Sequence, residues 1–222
     1  MNRYLRIGAT VVALLVALAV VGNARAAFVT SGDTITGTLG DWVDAGYVQQ
    51  QDKLWTYVTS SDLDLATSIT FTVDALADGT YIHTLSIGGI DYTESGATLD
   101  YTISITTPNN NGLNNFVFQS ATLDTTTVGV GSTAIKALYA DSETPFLTLT
   151  STDGSAATSA ITGDLTTLYI AESWTVESNG YINQTFNTFT EGAIPEPLSI
   201  GVWTLLLACV GVSVTLRRRH KA

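Results

Sequence analysis

The sequence predicts an all-β protein, an antiparallel β-sandwich or jelly-roll-like ectodomain followed by one C-terminal transmembrane helix. Three observations lead there. Apolar and polar residues alternate with a period of two in several middle segments, the mark of strands with one wet face and so of antiparallel sheets. Glycine-containing dipeptides punctuate those segments at strand-like intervals. Between the two apolar ends, no stretch sustains a helical period.

The elements follow in chain order. Met1 to Arg6 is short and basic, Ile7 to Val21 is apolar and uncharged, and Ala24-Arg25-Ala26 puts small residues where a signal peptidase reads them. Residues 1–26 are therefore expected to be a secretory signal peptide, with Ala27 as the new N-terminus. The middle, residues 27–193, is long enough for one ordinary domain at roughly 170 residues. Within it Ile69, Phe71 and Val73 alternate with Thr70 and Thr72, and Leu99, Tyr101, Ile103 and Ile105 alternate with Asp100, Thr102 and Ser104. Leu168, Ile170, Trp174 and Val176 keep one parity, interrupted by Glu172. Asp78-Gly79, Gly88-Gly89, Asp153-Gly154 and Asn179-Gly180 are the turn signals, and Asn179-Gly180 is the strongest hairpin signal among them. About ten strands are expected. Pro108 to Gly112 reads as a loop between two halves of the sandwich.

The C-terminal segment, residues 194–222, has its own layout. Leu198 to Leu216 is apolar or weakly polar throughout, and as a helix it would reach roughly 28 Å, about the hydrocarbon thickness of a bilayer. Arg217, Arg218 and Arg219 follow at once, a cluster that stays cytoplasmic and leaves the middle domain on the far side. Just before the span stand Pro195, Glu196 and Pro197. Two prolines hold an extended backbone there, so the helix cannot continue upstream. A Pro-Glu-Pro triplet, one transmembrane helix and a terminal arginine cluster, in that order, resemble the PEP-CTERM sorting signal. The resemblance covers only this tail. It implies an exosortase as partner, which would read Pro195, Glu196 and Pro197 and cleave nearby. It also implies a Gram-negative bacterium, passage through the inner membrane, and a connection with exopolysaccharide. The precursor would be anchored in the inner membrane and the product would reach the cell surface or the medium.

The 222-residue chain carries a formal net charge of −11. Its positive residues crowd the two ends, while the middle keeps only Lys53 and Lys136 against nearly all the acids. Such a domain would repel a phosphate backbone, which argues against nucleic acid as a partner. The single cysteine, Cys209, lies in the C-terminal apolar run, so the middle domain has neither disulfide nor thiol chemistry.

Candidate chemistry is sparse. His83 shares its parity with Tyr81, Leu85 and Ile87 and is expected to be structural, and no second histidine or cysteine in the domain can share a zinc ion. Hence no metal site and no cofactor are expected. Calcium would suit oxygen-only clusters such as Asp62 with Asp64 or Asp74 with Asp78, but no calcium-loop motif is present. Trp42, Tyr47, Trp55 and Tyr57 make an aromatic-rich stretch. Exposed rings of this kind stack on the apolar faces of sugars, which makes Trp42, Trp55 and Tyr57 candidate ligand residues; rings that pack a core carry the same signature, and that is the commoner use. No nucleophile-elbow motif supports a catalytic triad. The expected function is that of an exported, non-enzymatic surface or matrix protein, with a carbohydrate-binding module as the alternative. A secreted hydrolase ranks behind both, because basic residues that could steady a transition state are almost missing.

Overall fold

The computed structural model describes residues 33–76, 79–106, 116–141 and 143–193. These form two six-stranded antiparallel sheets packed face to face, with one short helix. The strands are β1 (Thr34–Thr38), β2 (Tyr47–Gln50), β3 (Lys53–Ser61), β4 (Ser68–Ala75), β5 (Tyr81–Ile90), β6 (Thr98–Ile105), β7 (Phe116–Val128), β8 (Ser132–Tyr139), β9 (Leu147–Thr152), β10 (Ala157–Ala160), β11 (Thr167–Val176) and β12 (Tyr181–Ala193). The first sheet runs β1-β4-β5-β12-β7-β10 and the second β2-β3-β6-β11-β8-β9. The sandwich expected from the alternation is therefore present. Its inner faces bury Trp42, Trp55, Trp174, Phe71, Phe118 and Phe189.

Threonine abounds because pleated outer faces need residues that are β-branched yet wet. On the first sheet Thr34, Thr72, Thr84, Thr188, Thr122 and Thr158 stand side by side across all six strands. The hydroxyls of Thr84 and Thr188 lie 3.2 Å apart, a cross-strand hydrogen bond that helps hold the pairing.

Three turn signals behave differently from expectation. The Gly88-Gly89 pair makes no turn, since β5 runs through it to Ile90. Gly89 has φ +42°, and a Cβ there would collide with the Tyr181 hydroxyl, so glycine serves close approach rather than reversal. Asn179-Gly180 does not close a hairpin: β11 lies in the second sheet and β12 in the first. A type I′ hairpin turn needs positive φ at both residues, and neither Asn179 nor Gly180 has it. Instead the Gly180 N–H donates to the Glu177 carbonyl at 2.8 Å and the chain arches between sheets. Asp153-Gly154 does have two positive φ values, 49° and 84°, yet its strands β9 and β10 also join different sheets. True hairpins link β2 to β3, β4 to β5 and β8 to β9. The β4–β5 hairpin spans the Asp78-Gly79 signal as expected, although Asp78 itself lies outside the described residues.

The helix α1 (Leu39–Ala45) is an addition to the sequence reading. Its signal is local: the Thr38 hydroxyl accepts from the Asp41 N–H, the Asp41 carboxylate accepts from the Thr38 N–H, and Gly46 ends the helix at φ +76°. The helix tucks Leu39 and Trp42 under the sandwich.

Among the described residues, no helix is long and apolar enough to cross a membrane. The predicted span 198–216, the triplet Pro195-Glu196-Pro197, the arginines 217–219 and the cleavage site Ala24–Ala27 all lie outside the described residues, as does the loop 108–112.

Candidate functional site

The rings expected to offer a sugar platform are turned inward. Trp42 and Trp55 are both 0% exposed. Trp42 meets Phe71 edge-on with centroids 5.1 Å apart, and Trp55 meets the same ring at 5.3 Å. Tyr57 packs half-buried against Trp42 and its hydroxyl lies 2.9 Å from that of Ser60. The ligand role for Trp42 and Trp55 is thus corrected: these rings build the core, and no ligand can reach their faces.

A different aromatic pair faces outward. On the second sheet Tyr169 of β11 pairs directly across from Tyr139 of β8. Tyr169 points opposite to Leu168 and Ile170, whose parity faces the core, and it is 41% exposed. The two tyrosines border a shallow hollow of about 300 Å³. Val58, which bulges out of register between Tyr57 and Thr59, lines another side, with Ala171, Asp100 and Glu143. Partial burial raises the Asp100 carboxyl above its usual range. Rings, a small-residue floor and two carboxylates therefore share one surface. The signal was in the sequence as Tyr169 at the outward parity of a strand, but the partner Tyr139 lies on another strand and could be matched to it only by register.

A larger hollow, about 600 Å³, lies beside Asp62, Asp64, Asp91 and Glu94. Asp64, Asp91 and Glu94 brace their own loops. Glu94 accepts from the backbone N–H groups of Asp64 and Asp91 at 3.0 and 3.2 Å, and Asp91 accepts from the Thr93 N–H at 2.7 Å. The Thr93 hydroxyl, which also donates to Asp91, and the Thr93 N–H hold the Asp91 carboxyl below its ordinary range.

No protein-family model and no curated protein matches the chain. Among solved structures it is similar to the C-terminal CBM6 of LamC, a marine laminarinase from Zobellia galactanivorans. Identity is 14% over 61% of this chain and 98% of that one, with a TM-score of 0.30. It is also similar to TmCBM61 in complex with β-1,4-galactotriose, at 8% identity over 56% of this chain and 88% of the module, with a TM-score of 0.29. A third similarity is to the xylan-binding module CBM86 from Roseburia intestinalis, at 9% identity over 73% and 97%, with a TM-score of 0.29. At these scores the likeness carries no argument about the site.

The interior holds an unusual share of charge. Both lysines of the middle domain, Lys53 and Lys136, are 0% exposed. Lys53 donates to Asp52 at 2.6 Å and pairs with Glu191, which in turn contacts the Nε2 of His83 at 3.2 Å. The Nδ1 of His83 lies 3.2 Å from the Gln50 side-chain oxygen. His83 is thus buried, on the inward parity of its strand. Asp52, His83 and Glu191 are also the group of metal-ligating side chains that converge among the described residues. The Lys53 ammonium already sits on both carboxylates and supplies the positive charge there. Burial pushes the Glu191 carboxyl up, but the His83 hydrogen bond and the Lys53 charge outweigh it and leave Glu191 below the usual carboxylate range.

The second cluster explains the Glu172 that interrupts its strand. Glu172 points into the core, pairs across strands with Lys136, and accepts from the Tyr101 hydroxyl at 2.6 Å and the Asn187 side-chain amide at 2.8 Å. Burial drives Glu172 upward despite the opposing pull of Lys136, Tyr101 and Asn187. Burial pulls Lys136 down to about 7, with only partial relief from Glu172. Tyr101 is pushed well above its ordinary range by burial and by the neighbouring Glu172 charge.

Proposed function

We propose that this chain is an exported, non-enzymatic surface protein that holds a neutral polysaccharide against the outer face of its second sheet. The carrying observation is the outward cross-strand pair Tyr139–Tyr169 beside Asp100 and Glu143. Aromatic rings favour the apolar C–H faces of sugars, and carboxylates accept from sugar hydroxyls. Charge narrows the ligand. With Lys53 and Lys136 buried, the described surface presents carboxylates and no basic side chain. An anionic polymer would be repelled by such a surface, whereas a neutral one is not.

The test is calorimetric titration of the purified protein with soluble neutral glycans. A binding glycan is expected from the panel, and Tyr169→Ala should weaken it about fivefold, since loss of one stacking ring removes on the order of 1 kcal/mol. Unchanged affinity in that variant sinks the assignment of the site. Release of reducing sugar would move the reading to a hydrolase.

The sorting route is part of the same proposal and rests on the terminal segments. Glu196→Ala should leave membrane insertion intact, because the apolar span and the arginines carry that energy. It should nevertheless accumulate the full-length precursor in the inner-membrane fraction, since an exosortase loses its recognition element. Blots of fractionated cells decide this. An unaltered protein that keeps its C-terminal residues wherever it is found contradicts exosortase processing.

A further inference from the structure

Three interior groups stand in an arrangement that suits covalent chemistry: an amine, a carboxamide and a carboxyl. We infer that Lys136 and Asn187 join in an intramolecular amide cross-link between the two sheets, with Glu172 as the proton-transfer residue. The inference is independent of the glycan reading.

The register sets the geometry. Lys136 on β8 and Glu172 on β11 are cross-strand partners on the inner face of the second sheet. Asn187 projects inward from β12 of the first sheet and reaches across to Glu172 at 2.8 Å. Lys136 also crosses the interior. Its Nζ donates to the Thr122 carbonyl at 2.9 Å and stands 4.2 Å from the centre of the Phe189 ring. Thr122 pairs with Thr188, and Phe189 lies on the same inward parity as Asn187. The amine therefore ends beside Phe189, in the same sealed cluster as the carboxamide, and the reaction requires its terminal torsions to swing it from the Thr122 carbonyl toward Asn187 Cγ. Lys136, Glu172 and Asn187 are all sealed from solvent. The Asn187 Oδ1 has no hydrogen-bond partner there, an unusual state for a buried carbonyl.

The protonation states agree with the geometry. Lys136, brought down to about 7, is available as a neutral nucleophile near neutral pH. Burial raises the Glu172 carboxyl above its ordinary range, the direction that favours proton donation. In the step, Nζ attacks Asn187 Cγ and the new C–N bond forms while the carbonyl electrons move onto Oδ1. Glu172 donates its proton to the departing Nδ2 and receives one from Nζ. The carbonyl re-forms, the Cγ–Nδ2 bond breaks and ammonia leaves. An amine and a carboxamide become a secondary amide plus ammonia, Glu172 ends protonated as it began, and no oxidant or other reactant is consumed. The product would staple β8 to β12 in a domain that contains no cysteine, restricting the unfolded chain as a disulfide would.

Peptide mapping of the full-length protein under denaturing, reducing conditions tests it. Cleavage after glutamates places Lys136 in the peptide 95–143 and Asn187 in the peptide 178–191. The expected result is a single linked species, lighter by one ammonia than the two peptides together, accounting for most of the folded protein. Lys136→Met and Asn187→Ala should abolish that species. Glu172→Gln should reduce it to background while Lys136 and Asn187 remain. Two separate peptides from unaltered protein with a native β circular-dichroism spectrum would overturn the cross-link. A linked species undiminished in Glu172→Gln would overturn the role of Glu172.

Discussion

Glu191→Ala should destabilise the domain by about 3–5 kcal/mol, the usual cost of breaking a buried ion pair from one side. Glu191 is 1% exposed, pairs with Lys53 and bonds His83, so its removal leaves a fully buried ammonium with Asp52 alone and a histidine nitrogen without its partner. Equilibrium denaturation should show a lower midpoint with an unchanged slope. The double replacement Lys53→Met with Glu191→Leu should recover much of the loss, because well-packed apolar residues replace a buried pair at little net cost. If the single variant matches the unaltered protein within 0.5 kcal/mol or so, the cluster is not structural.

The same residue has a pH signature. Its folded-state carboxyl is held below the ordinary value by His83 and Lys53, against burial. The unfolded chain therefore binds the proton more readily, and the stabilisation from Glu191 is complete above the ordinary carboxylate value and lost as pH falls through the folded one. Glu172 has the opposite sign. Burial raises it, so its contribution is complete below the ordinary value and lost as pH rises through the folded one. The unaltered protein shows the sum of both slopes. Glu191→Ala should remove only the first, making the acid limb of its stability profile shallower.

Trp55→Ala should cost about 3–5 kcal/mol as well, by a different mechanism. The ring is 0% exposed and packs on Phe71, Phe189 and Tyr101 with centroids 5.3, 5.8 and 6.0 Å away. Those neighbours belong to rigid strands of both sheets, so the cavity cannot collapse fully. Tyr169→Ala, at an exposed position, should change stability by less than about 0.5 kcal/mol. Measured together, the two variants separate fold from binding. The first should lower the unfolding midpoint and leave glycan affinity of the folded protein intact, and the second should do the reverse. Loss of affinity in folded Trp55→Ala, with Tyr169→Ala unaffected, would return the ligand site to the N-terminal aromatic stretch.

The position of the aromatic residues shows what local pattern can carry. Alternation along Leu168–Val176 already puts Tyr169 on the face opposite Leu168 and Ile170. It cannot say that Tyr139, thirty residues earlier, stands across from it, because that depends on β8 and β11 being neighbours. Trp55 has the parity of Lys53 and Tyr57, a mixed face that is ambiguous until Lys53 is found buried against Glu191. Glu172 is similar. As a break in an apolar parity it reads as an exception, and only Tyr101, Lys136 and Asn187, drawn from three other strands, turn it into a satisfied interior group.

By itself the sequence determined the β class, the strands from Ile69 to Val73, Leu99 to Ile105 and Leu168 to Val176, the β4–β5 hairpin, and the confinement of positive charge to two lysines in the middle domain. These follow from period, turn chemistry and composition, all of which are local or additive. Tertiary structure alone decided that Asn179-Gly180 arches between sheets, that both lysines are interior, and that His83 meets a carboxylate 108 residues away. Those outcomes depend on strand order, and strand order is set by the summed packing of many distant contacts rather than by any short stretch of chain.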